Sequence, residues 1–311
     1  MSLQLRANAK INLGLRITGR VATAPDLAPD LRDEELYVGY HTIHTLFQEL
    51  DFGDRVTLEE DPSGEITLRV TGPYAHAIPT DETNLCVRAA RALQVYAFPG
   101  RGARIRLEKN IPTGSGLGGG SSDGAAVMRG LNRLWNDGKE RLDAEELSDI
   151  ALAEELGADI PFFLEGGGLQ LGEYIGSDLT PITRPLPYRV VLVMPPFSVD
   201  TAWAYGQFAG RQSFSPAPGF DQLILQDPIP WEAFTNDFEE LVFPHHGELA
   251  EIKGQLLASG AVWAGLSGSG SAVVGLFDSP LNFNSLGQRF TDCRVAIASL
   301  VAGAGHAPDS T

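Results

Sequence analysis

Five glycines fall within the seven positions from Gly114 to Gly120, and Ser121 and Ser122 follow before a run that reads as helix to about Asn136. Glycine lets a backbone turn sharply and lets a ligand approach closely. A helix start offers unpaired N–H groups and the positive end of a dipole. Together they make a cradle for phosphate. A Walker A loop would end in Gly-Lys-Ser/Thr, and Gly120 is followed by two serines with no lysine, so that reading fails. Gly114, Gly116 and Gly119 fit GxGxxG, but a dinucleotide fold needs a second strand and an acidic residue about 20 positions on. Here a second helix follows instead, opened by the capping-box pair Asp143 and Glu146.

Two charged residues stand out in apolar surroundings. Lys10 lies in the alternating run Ala9–Ile17, and Asp159 lies between a helix end and the apolar run from Ile160 to Leu164. Taken alone, Lys10 reads as a lysine that snorkels to the surface. Asp159 reads as a cap, a turn residue or a functional carboxylate. Beside a phosphate loop the pair has a chemical use. An aspartate accepts a hydroxyl proton as that oxygen attacks a phosphoryl group, and a lysine holds the hydroxyl and lowers its pKa. The chain has no HExxH, CxxC or GxSxG motif, which leaves metal hydrolysis and serine hydrolysis without support.

The elements that must position these residues follow from periodicity. Ala9–Ile17, Thr42–Leu50, Arg55–Glu60, Glu65–Thr71 and Ala103–Lys109 read as strands, with turns at Asp51–Asp54 and Asp61–Gly64. Thr83–Phe98, about 121–136 and about 143–156 read as helices. Beyond Gly166 the pattern predicts strands at Arg189–Met194 and after the second glycine turn (Gly268, Gly270), and at Cys293–Ala298. Helices are expected at Thr201–Phe208, Trp231–Val242 and Glu248–Ser259, with a loop at Gln212–Pro230 and a final helix before the last strand. Val21–Val38 reads as an exposed acidic insertion and Ala302–Thr311 as a disordered tail. This order predicts two α+β layers rather than a doubly wound sheet.

Composition narrows the partners. The 311 residues carry a net charge of −17, which argues against nucleic acid because phosphate neutralisation needs a basic face. No run of about 18 apolar residues is present, and residues 1–10 lack an apolar signal core, so neither a membrane span nor secretion is expected. Cys86 and Cys293 match no metal spacing and read as free thiols in a reducing cytoplasm. Of the four lysines, Lys10, Lys109, Lys139 and Lys253, only the first two fall near the loop or its neighbours.

Taken together, these segments resemble the GHMP small-molecule kinases over nearly the whole chain. The resemblance rests on Ala9-Lys10 with Asn12, on Gly39-Tyr40-His41, on Asp51–Asp54, on Asn84, on the glycine loop, on Leu156–Phe163 and on Leu266–Ala272. Gly39-Tyr40-His41 and Gly157–Phe163 are similar to the members whose acceptor is 4-diphosphocytidyl-2-C-methyl-D-erythritol. One departure is Val38, which stands where the family has an aspartate. The resemblance implies an α+β, two-domain fold: a ribosomal protein S5 domain 2-like ATP-binding domain over residues 1–165 and a ferredoxin-like domain over 166–311. It implies ATP and Mg²⁺ as cofactors, with Pro112, Thr113, Gly114, Ser115, Gly116, Leu117, Gly118, Gly119, Gly120, Ser121 and Ser122 around the phosphates. Ser121 or Ser122 would lie near Mg²⁺, and Asn84 and Lys109 near the nucleotide. It makes Asp159 the base and Lys10 its partner on the 2-hydroxyl of the acceptor. Asn12 would touch the polyol, and Tyr40, His41 and Tyr205 the cytosine. A cytoplasmic enzyme, monomer or homodimer, is implied.

Overall fold

The computed structural model describes residues 2–21, 37–208, 210–211, 213–279 and 287–303. The expected insertion is outside the described residues from 22 to 36, as are the tail from residue 304 and residues 280–286, in the stretch before the last strand where the final helix is expected. Two long strands organise the rest: β1 (Ser2–Arg20) and β2 (His41–Asp61) pair antiparallel along their whole length. The other edge of β2 is shared. Its C-terminal part pairs β4 (Gly102–Glu108), which is parallel to β3 (Ile66–Thr71). Its N-terminal part pairs β5 (Leu169–Glu173), which continues to β6 (Asp178–Pro181).

Asp51–Asp54 is therefore not a turn, and the two strands expected on either side of it are one. The register passes from Asn8 opposite Gly53 to Lys10 opposite Glu49, so these residues form an irregularity in β2 that faces β1. Gly53 is needed there, because a Cβ would come within 2.3 Å of the Ala7 carbonyl oxygen. The irregularity also sets the direction of the residues beside it. Ala9, Ile11 and Leu13 join an apolar core towards the second sheet, and Lys10 and Asn12 take the opposite face.

Helices α1 (Leu85–Tyr96), α2 (Gly119–Leu134), α3 (Ala144–Ala153) and α4 (Ile160–Leu164) pack around a core that includes Val56, Leu58, Ile105 and Leu107. α1 buries Cys86, Val87, Ala89, Ala90, Ala92 and Leu93, one stripe at helical spacing. The capping box of α3 is formed as its sequence predicts: Asp143 accepts from the Glu146 N–H, and Glu146 accepts from the Asp143 N–H.

The second sheet has the order β10 (Arg294–Ser299), β7 (Arg189–Met194), β9 (Val273–Phe277), β8 (Trp263–Leu266), all antiparallel. That is the 4-1-3-2 order of a ferredoxin-like unit. Val190, Leu192 and Met194 face the core shared with β1, and Val191 and Val193 face the opposite core. Burial on both faces explains the unbroken apolar run. Around this sheet lie α5 (Thr201–Gly206), α6 (Phe220–Leu223), α7 (Glu239–Val242) and α8 (Gly247–Ala258).

Two expectations are corrected here. Trp231–Val242 is not one helix: a 3-10 turn at Trp231–Ala233 and α7 flank an extended piece. Leu15 donates to the Thr235 carbonyl and accepts from the Asp237 N–H, so this piece pairs with β1 instead of coiling. Within the expected loop Gln212–Pro230, Phe220 is fully buried in α6, stacked between His44 and Phe234. Among the described residues no helix is long and apolar enough to cross a membrane.

Candidate active site

The glycine loop bridges β4 and α2, and its shape is dictated by close neighbours on both sides. Gly114, Gly116 and Gly118 all have positive φ, at 63°, 76° and 67°. A Cβ on Gly116 would come within 1.9 Å of the Ser267 carbonyl oxygen, so no other residue fits there. Gly118 is the N-cap of α2 and supplies no side-chain cap, which leaves the first N–H groups of the helix open to a ligand. The loop is fastened from outside as well. Lys10 N–H donates to the Leu117 carbonyl at 3.0 Å, Ser267 Oγ to the Gly116 carbonyl at 2.9 Å, and Ala272 N–H to the Ser115 carbonyl at 3.0 Å. The second glycine turn is thus a support for the first.

A cavity of about 610 Å³ opens over this loop. Every residue from Pro112 to Ser121 borders it, together with Lys10, Asn12, Asn84, Lys109, Asp159 and Tyr205. Ser122 does not border it and is buried in the first turn of α2. Asn84 caps α1, accepting from the Cys86 N–H at 2.8 Å and donating to the Pro79 carbonyl at 2.7 Å. Ala77, Ile78, Pro79 and Leu85 form an apolar wall beside it.

Lys10 and Asp159 meet at the floor of the cavity. Lys10 Nζ stands 3.2 Å from Asp159 Oδ2 and donates to Asn12 Oδ1 at 2.8 Å. Asn12 in turn donates to Thr45 Oγ1 at 2.8 Å, and that hydroxyl donates to the Gly14 carbonyl at 2.7 Å. The chain of bonds fixes which Asn12 atom faces the ammonium. Lys10 is 5% exposed, so it does not snorkel. Asp159 occupies the N-cap position of α4 but makes no side-chain cap bond, and its side chain is 29% exposed. A carboxylate free on one side, next to a fixed ammonium, is arranged to accept a proton from a hydroxyl held between them.

Lys109 is placed differently. It is 2% exposed, and its ammonium donates to Asp123 Oδ2 at 2.7 Å and to Asp54 Oδ2. Neither Asp54 nor Asp123 is among the expected site residues: Asp54 reads as a turn residue within the segment Asp51–Asp54 that carries the resemblance, and Asp123 as part of the helix after the loop. Thr201 and Ser269, whose hydroxyls lie 3.0 Å apart on the far rim, were also missed. The second glycine turn pointed to the region of Ser269; nothing local marks Thr201.

The aromatic residues cluster beyond Asp159. His41 stacks on Tyr205 with centroids 5.3 Å apart, and Phe208 and Phe214 meet its edges. Tyr205 borders the cavity, and burial followed by the nearby Asp159 charge pushes its hydroxyl above the ordinary tyrosine range. His41 lies outside the cavity wall, as does Tyr40, which is 48% exposed and packs edge-on to Tyr37 at 5.3 Å. Arg20 Nε donates to His41 Nε2 at 3.1 Å, and burial, then the Arg20 charge, lowers the imidazole pKa. With Nε2 accepting from Arg20, the neutral ring carries its proton on Nδ1.

The family model for the GHMP kinases N terminal domain matches residues 84–167, and that for GHMP kinases C terminal matches 222–291. The 4-diphosphocytidyl-2-C-methyl-D-erythritol kinase of Chlorobium luteolum is 42% identical over 285 residues, covering 90% of this chain and 91% of its own. The chain belongs to the GHMP kinase family. It is accordingly an ATP-dependent kinase. Among GHMP kinases of known structure, a 4-(cytidine 5'-diphospho)-2C-methyl-D-erythritol kinase superposes with a TM-score of 0.73 at 33% identity, covering 97% of this chain and all of that one. The mevalonate kinase of Methanococcus jannaschii shares the fold, with a TM-score of 0.64 at 15% identity, covering 97% of this chain and 99% of its own.

Proposed function

We propose that this GHMP kinase transfers the γ-phosphoryl group of ATP to the 2-hydroxyl of 4-diphosphocytidyl-2-C-methyl-D-erythritol, a step of isoprenoid synthesis by the non-mevalonate route. The observation that carries the mechanism is the Lys10–Asp159 pair, 3.2 Å apart on the floor of the cavity that the glycine loop borders. In this reading Asp159 takes the proton of the acceptor hydroxyl. Lys10, held by Asn12, orients that hydroxyl and stabilises its developing charge. Transfer is direct and in line, since no nucleophilic side chain is required. The N–H groups at the start of α2 and along Gly114–Gly120 receive the ATP phosphates.

A divalent cation fits the same reading. The ammonium groups of Lys10 and Lys109 are each engaged with carboxylates, so phosphate charge must be met elsewhere. Among the described residues no group of three or more His, Cys, Asp or Glu is placed to hold a metal. Mg²⁺ asks for less, since it binds through one or two carboxylates plus substrate phosphates. Ser121 borders the cavity and would hold it together with the ATP phosphates, and the ion would neutralise charge on the transferring group. The nucleotide half of the site is built by residues 1–165. The acceptor half draws on Tyr205, Thr201 and Ser269 from 166–311, with His41 and Tyr40 towards the cytosine.

The likeness to relatives that carry this substrate in their names supports the acceptor. A coupled ADP-release assay decides it. Turnover is expected with the cytidyl acceptor and not with mevalonate or homoserine. Turnover with either of the latter, and none with the former, would overturn the acceptor assignment.

A further inference from the structure

The transfer step leaves one set of charges unused, the buried carboxylates beneath the phosphate loop. Lys109 sits between the end of β4 and the start of the loop, with one hydrogen bond to Asp54 and one to Asp123. Asp54, fully buried in β2, uses its other oxygen to accept the N–H groups of Asn110 and, at 2.8 Å, Ile111. Those are the residues by which the chain enters the loop. Asp123 lies in α2 just after the loop ends, and is 3% exposed. The Lys109 ammonium is also pressed against the helix start, for a Cβ on Gly119 would come within 3.0 Å of it.

We propose that Lys109, Asp54 and Asp123 form a buried clamp that positions both ends of the phosphate loop, and that the Lys109 charge is spent on the two carboxylates rather than on the nucleotide. The inference rests on the reading that the loop binds ATP. One ammonium faces two carboxylates, so the set has no positive charge to spare for phosphate. Burial lowers the lysine pKa, but Asp123 and Asp54 outweigh it and hold the group above its ordinary value. Burial, against the pull of Lys109 and with the push of Asp54, raises the Asp123 carboxyl well above the usual range. Removing Lys109 leaves buried carboxylates without their partner, and an amide at position 54 that keeps the Asn110 and Ile111 bonds turns its NH2 towards the ammonium in place of an acceptor; in both cases the loop is what yields.

The test compares a single loss with a compensated one in the full-length enzyme, by equilibrium binding of ATP without acceptor, so that the acceptor assignment does not enter. Lys109→Met should weaken ATP binding by about tenfold or more, since about 1.4 kcal/mol suffices for that change. Lys109→Met with Asp54→Asn removes one charge of each sign, and the amide oxygen introduced still accepts from Asn110 and Ile111. It should return the ATP Kd to within about threefold of wild type, because a balanced loss of partners costs little. Asp54→Asn alone should weaken ATP binding although Asp54 does not border the cavity, and the kcat it retains at saturating ATP should exceed that of Asp159→Asn. The clamp is overturned if the double variant binds ATP no better than Lys109→Met, which would make Lys109 a phosphate ligand. It is also overturned if Asp54→Asn leaves the ATP Kd unchanged. Should Lys109→Met fail to fold, the Asp54→Asn result decides. Wild-type enzyme that binds no ATP would overturn the clamp together with the kinase reading, whereas turnover with a different acceptor would leave the clamp standing.

Discussion

Lys10 and Lys109 each hold aspartate beside the same glycine loop, yet the two arrangements differ in every feature that decides chemistry. Lys10 meets one carboxylate, Asp159, whose side chain is 29% exposed and borders the cavity. Lys109 meets two, Asp54 and Asp123, with side chains 0% and 4% exposed. A half-exposed carboxylate with one partner has lone pairs left for a substrate proton. Asp54, with both oxygens already accepting from backbone N–H and ammonium, has none, and Asp123 is buried with its Oδ2 on the ammonium. In the proposed reading the same residue types serve transfer in one place and shape in the other, and exposure with bond count separates them.

The strongest way to break this comparison is to neutralise the reactive member. Asp159→Asn should lower kcat by about a hundred- to ten-thousand-fold while ATP binding stays near wild type. Rapid-quench and equilibrium binding measurements check the two halves of that statement. Neutralising the sealed lysine should instead appear in stability. Lys109→Met is expected to cost about 3–5 kcal/mol in urea unfolding, the range for one partner lost from a buried ion pair. Lys10→Ala, which leaves Asp159 partly hydrated, should cost less stability than that and more turnover.

How much of this was legible beforehand follows from where the information lies. The glycine loop was readable because three positive-φ positions and an open helix start demand glycines at fixed spacing. The α3 capping box was readable because both partners lie within one helical turn. Lys10 and Asp159 could be singled out as charges in apolar runs, but their meeting spans 149 residues and only the fold makes it. Asp54 was misread for a physical reason. Asp51–Asp54 has turn composition, and its polar groups are consumed by long-range partners: Asp51 accepts from the Ser299 N–H, Asp54 from Lys109 and from the loop entrance. Likewise Phe234–Asp237 keeps a helix-like pattern, but Asn236 donates to the Leu266 and Gly268 carbonyls and the backbone joins β1. Local periodicity carries no trace of those bonds.

Two smaller effects sharpen the contrast between the open and the sealed parts. His41 has a lowered pKa, from burial and then from Arg20. The unfolded chain takes up a proton near the ordinary value of 6.5, and the folded ring resists it, so stability present above that pH is lost as the pH falls through the window below it. Arg20→Leu should move the folded pKa back up and shrink that acid-side loss, which an NMR titration of the ring would report. Within α2, Gly124 has room for a methyl group, with Ile160 nearest at 3.4 Å. Gly124→Ala should add about 0.5–1 kcal/mol to unfolding stability and leave both pairs untouched.

The division of labour between the two pairs is tested most directly by single-turnover phosphoryl transfer with ATP saturating and the cytidyl acceptor present, run side by side on Asp159→Asn and Asp54→Asn. The account predicts that Asp159→Asn binds ATP and fails to transfer, while Asp54→Asn needs more ATP and then transfers at a rate near that of wild type. Transfer lost in Asp54→Asn at saturating ATP, or retained in Asp159→Asn, would contradict it.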